Sequence, residues 1–126
     1  MTHAEMITAL EAATEPSRGL DAEIARAIGL AINESDPEWV FEPSYLEDGH
    51  LRLSSVQPFT SSIDAALTLL NKVGILLSLS DIGADGLPLA IVADPTREVE
   101  STFEGIGCNL AISLCIAALK AREAAP

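Results

Sequence analysis

The sequence predicts an α+β fold: a mainly antiparallel four-stranded sheet sandwiched by helices, in the order α-α-β-β-α-β-β-α, forming a single α/β/α-sandwich domain over residues 1–126. Three observations carry this. Segments with helical apolar spacing alternate with pairs of short extended runs. Each pair is joined by a turn signal, Asp48-Gly49 in the first and Asp81-Ile82-Gly83-Ala84-Asp85-Gly86 in the second, and hairpins make neighbouring strands antiparallel. The last segment, Asn109 to Arg122, is apolar on almost every side, with only Asn109 and Ser113 polar before Lys120. A helix of that kind is buried on several sides, between a sheet and other helices or between subunits.

The first helix is expected over Thr2–Thr14, where Met6, Ala9, Leu10 and Ala13 share one face and Thr2 with Glu5 forms a capping box. Pro16 and Gly19 interrupt it. A second helix follows over about Leu20–Ile32, with Leu20, Ile24, Ala27, Ile28 and Ala31 inward and Asp21 placed for the helix dipole. Asn33-Glu34-Ser35-Asp36-Pro37 is a turn cluster. Trp39–Leu46 reads as a strand that Pro43 demotes to an edge or a broken strand. Leu51–Val56 returns from it. Ser61 caps a third helix running to about Lys72, with Ile63, Ala66, Leu67 and Leu70 as its buried stripe. Val73–Ser80 and Leu87–Ala93 are the second pair of strands. Thr96–Gly107 reads as a loop before the final helix.

Composition narrows the function. The formal charge is −12, from 19 acidic and 7 basic residues. That argues against DNA or RNA binding, which needs clustered Lys and Arg, and against an anionic membrane surface. Only five residues are aromatic, so core volume comes from Leu, Ile, Val and Ala. Cys108 and Cys115 would lie about 10 Å apart along a helix, too far for a disulfide. Two cysteines, no signal-peptide pattern at the N-terminus and no apolar run of membrane-spanning length point to the cytoplasm.

Asp36-Pro37-Glu38-Trp39, Pro58-Phe59-Thr60-Ser61-Ser62-Ile63-Asp64-Ala65-Ala66-Leu67 and Leu114-Cys115-Ile116-Ala117-Ala118-Leu119-Lys120-Ala121-Arg122 together resemble the phage ABA-sandwich proteins, small proteins of phages and prophages. Leu20-Asp21-Ala22-Glu23-Ile24-Ala25 fits the same pattern. The resemblance covers most of residues 1–122, and its middle motif is the most specific part. It implies an antiparallel sheet between helical layers, a viral or prophage origin and thus a bacterial host cell. It implies no settled activity. The chain departs from the family where Pro-Tyr-Thr becomes Pro-Phe-Thr at Phe59, and where Cys108-Asn109 replaces the Thr-Pro that commonly opens the last helix.

No catalytic set emerges. Ser61, Ser62, Cys108 and Cys115 could be nucleophiles, but the only histidines are His3, near a terminus, and His50, beside a hairpin tip. Cys115 reads as a core residue. Asp81 and Asp85 lack the further oxygen ligands of a calcium loop, and no Cys/His cluster suits zinc. Gly105-Ile106-Gly107 before a helix is a weak anion cue whose ordinary reading is a turn. The expectation is therefore a non-enzymatic phage accessory protein, without metal or cofactor. It would bind and sequester a nucleotide-type immune signal as an anti-defence sponge. Trp39 and Phe59 would stack on a base, Arg52 and Arg97 would pair with phosphate, and Thr60, Ser61 and Ser62 would offer hydroxyls at a helix start. The apolar helix suggests a homo-oligomer. The alternative is an acidic protein–protein module that inhibits a host factor or serves in phage assembly.

Overall fold

A computed structural model of the chain describes residues 2–33, 35–36, 39–43, 51–70, 75–80, 87–94 and 101–124. Helix α1 (His3–Ala12) starts with the expected capping box: Glu5 N donates to Thr2 Oγ1 and Thr2 N donates to Glu5 Oε1, both at 3.1 Å. That second bond, from the Thr2 main chain, is the main cause of a Glu5 carboxyl held below the usual glutamate range, with the Thr2 side chain second. Met6, Ile7 and Leu10 are its buried residues.

Helix α2 (Arg18–Ala27) is capped by Ser17 and ends earlier than its apolar pattern suggested. Gly29 takes φ +92°. Its N–H donates to Arg26 O, and Leu30 N donates to Ala25 O, both at 3.0 Å, the pair of bonds that closes a helix around a left-handed residue. The chain then leaves as strand β1 (Ala31–Ile32). This strand was not expected, because Ile28 and Ala31 continue the helical spacing across the glycine.

β1 pairs antiparallel with β2 (Trp39–Pro43), and β2 pairs antiparallel with β3 (Leu51–Ser55). β2 is therefore a central strand, not the edge strand Pro43 suggested. Pro43 is tolerated because β1 is short: its partners on β2 are Phe41 and Val40, so Pro43 pairs only with Leu51. The Glu47–His50 turn lies outside the described residues.

Helix α3 (Ile63–Leu67) is capped by Ser62, one residue later than expected, with Ala65 N donating to Ser62 Oγ at 3.3 Å. It tightens into a 3-10 turn at Thr68–Leu70. The buried residues are Ala65 and Ala66 of the helix with Leu69 and Leu70 of the 3-10 turn, and Leu67, expected in the stripe, is 36% exposed.

β4 (Ile75–Ser80), β5 (Leu89–Asp94) and β6 (Ser101–Ile106) form a second antiparallel sheet in the order β4-β5-β6. The Asp81–Gly86 turn lies outside the described residues. The described strands thus make two three-stranded ladders instead of one four-stranded sheet, because β1 and β6 add a strand to each hairpin. β6 falls in the span read as a loop. Its inward positions are Phe103 and Gly105, while Thr102, Glu104 and Ile106 are exposed. An alternation whose buried member is glycine carries no apolar signal.

That glycine is what lets the last helix, α4 (Leu110–Ala124), lie against the sheet. A Cβ at Gly105 would stand 2.0 Å from Ser113 O and 2.7 Å from Ala117 N. Helix backbone and strand backbone meet there with no side chain between them. α4 packs on β4, β5 and β6 with one face, and on α1, α3 and the 3-10 turn with the others. Ala111 to Leu119 are each buried. The all-round apolar helix is thus the middle layer of the β4–β6 half of the fold. Among the described residues the layering differs from a sheet between helices, because it is a helix that lies between a sheet and other helices. Its burial is complete within one chain, so its composition carries no argument for a second subunit. The core cluster joins α1, α2, β1, α3, β5 and α4 through Met6, Leu10, Ile24, Ile32, Phe59, Leu69, Val92 and the α4 residues. No helix among the described residues is long and apolar enough to cross a membrane.

Candidate functional site

The hydroxyl-rich turn before α3 lies where three elements converge. Ser17 at the start of α2, Asp21 one turn on, and Asn109 and Cys115 of the last helix all bond to Phe59 or Thr60. Thr60 N donates to Asp21 Oδ1 at 2.8 Å, and Thr60 Oγ1 donates to the same oxygen at 2.8 Å. Ser17 O lies 3.2 Å from that hydroxyl, but one proton serves one strong bond, and the carboxylate is both closer and charged. Ser17 N donates to Thr60 Oγ1 at 2.9 Å. Asn109 Nδ2 donates to Thr60 O at 3.1 Å, and Cys115 Sγ donates to Phe59 O at 3.2 Å.

Asp21 is 1% exposed and Thr60 is fully buried. The Asp21 carboxylate is balanced by Arg18, whose Nη1 donates to Oδ2 at 3.0 Å while Nη2 donates to Val56 O at 2.8 Å. Asn109 caps α4 by accepting from Ile112 N at 2.7 Å. One turn on, Ser113 Oγ accepts from Gly107 N at 2.9 Å and lies within 2.9 Å of Pro88 O and 2.8 Å of Asn109 O. Burial pushes the Cys115 thiol up, and the nearby Asp21 charge adds to it. A thiol so held is protonated and unreactive.

Every polar group of Thr60 therefore has a partner inside the protein. The arrangement locks a turn to two helix N-termini and leaves Thr60 no open donor or acceptor for a ligand. Phe59, expected to stack on a base, is 1% exposed and belongs to the core. Ser62 is the α3 cap, and Ser61 Oγ lies 3.4 Å from Pro58 O on the surface. Trp39 is 39% exposed on β2, opposite Ser55. Arg52 pairs with Glu42 in the strand register, its side chain lying outside the described residues. Arg97 and His50 also lie outside them. The structure thus brings Phe59 and Thr60 together in the interior and leaves Trp39 and Ser61 at the surface. Of the network's members, Asp21 and Asn109 were read from sequence only as helix-start residues. Their small polar side chains facing the Pro58–Ser61 turn was a signal that only tertiary contact reveals.

Among the described residues no group of three His, Cys, Asp or Glu could hold a metal ion. No family model, curated protein or solved structure matches this chain.

Proposed function

We propose that this protein is a non-enzymatic, acidic binding module that acts on another protein. The reading is carried by one observation: Phe59 and Thr60, two of the seven residues expected to hold a small ligand, are buried and engaged in joining α2, the Pro58–Ser61 turn and α4. What remains for recognition is the surface, and the chain carries a formal charge of −12. Such a charge steers a basic partner and raises its association rate. The resemblance to phage ABA-sandwich proteins supplies a setting, in which the partner is a basic host factor or a phage assembly component. Sequestration of a nucleotide signal, the other reading, would have to rest on Trp39, Ser61 and arginines outside the buried turn.

Parallel titrations separate the two. Calorimetry against a panel of cyclic and linear nucleotides is expected to give no heat of binding at micromolar protein. The same titration against basic proteins of differing shape is expected to give binding that weakens steeply with salt. Saturable, stoichiometric binding of any nucleotide would overturn the proposal in favour of a sponge.

A further inference from the structure

We draw no further inference here: the strongest candidate, the groove along α1 lined by Ala4, Glu5, Thr8, Ala9 and Ala12, is a stripe of small residues on one helix, and nothing in the structure shows what covers it.

Discussion

Substituting Gly105 by alanine tests the packing of α4 directly. The added methyl carbon would sit 2.0 Å from Ser113 O, 2.7 Å from Ala117 N and 3.0 Å from Ile116 Cβ. Real contacts of this kind scarcely fall below 3.0 Å, so strand and helix must separate by at least 1.0 Å at the closest atom. Two of the three obstacles are main-chain atoms that no rotamer change can move. Overpacking that shifts backbone costs about 1–3 kcal/mol and more when relief is blocked, so Gly105→Ala is expected to cost about 3 kcal/mol or more. For a domain of this size that lowers the melting temperature by on the order of 10 °C. Gly107→Ala should cost less, because its nearest obstacle at 2.5 Å is the Ile112 Cγ2 methyl, the end of a side chain. Gly19→Ala is the control. Its Cβ meets Ser17 Oγ at an ordinary 3.5 Å near the start of α2, and a helical glycine replaced by alanine gains up to about 1 kcal/mol. Urea unfolding followed by circular dichroism gives all three. If Gly105→Ala lay within about 1 kcal/mol of the parent, well inside the range of a tolerated core change, the strand and helix do not touch backbone to backbone.

Further outcomes follow from the buried turn and the helix ends. Thr60→Val keeps the volume but leaves Asp21 Oδ1 and Ser17 N each short of a partner, and should cost about 1–3 kcal/mol in urea unfolding. A null effect would return Thr60 to the candidates for ligand binding. Glu5→Ala should lower stability at neutral pH. A carboxyl depressed in the folded state contributes above its unfolded pKa and loses that contribution as pH falls through the folded one, so the difference from the parent should vanish in acid. A gap that persisted unchanged in acid would contradict the capping box. Cys115, raised by burial, has the opposite sign. Its contribution is intact below the ordinary thiol pKa and is lost as pH rises above it, at up to about 1.4 kcal/mol per pH unit. Cys115→Ala should therefore flatten the alkaline fall in stability, and an unchanged slope would place the thiol in water.

What the sequence made legible was what local chemistry decides. Thr2 and Glu5 announce a helix start because the box is completed within four residues. The pairing of β2 with β3 and of β4 with β5 follows from short extended runs flanking turn residues. The buried state of α4 was legible too, since nothing on it wants water. What covers α4 was not, because Phe103, Gly105 and Gly107 look like a loop until the helix they receive is in view. Gly29 carried an unread stop signal, masked by apolar residues in phase on both sides of it. The candidate site failed for a related reason. Thr60, Ser61 and Ser62 are identical in kind as hydroxyls beside a helix, and only the approach of Asp21, from 39 residues earlier in the chain, selects Thr60 for the interior.

The account's central claim is that α4 is buried by its own chain. The two cysteines measure it: Cys108 is exposed and Cys115 is buried within the helix. With a thiol reagent under native conditions, Cys108 should react at once. Cys115 should react only at the rate of global unfolding, and that rate should not change as the protein is diluted. A Cys115 that became reactive on dilution would mean that a second subunit, not this fold, shields the helix.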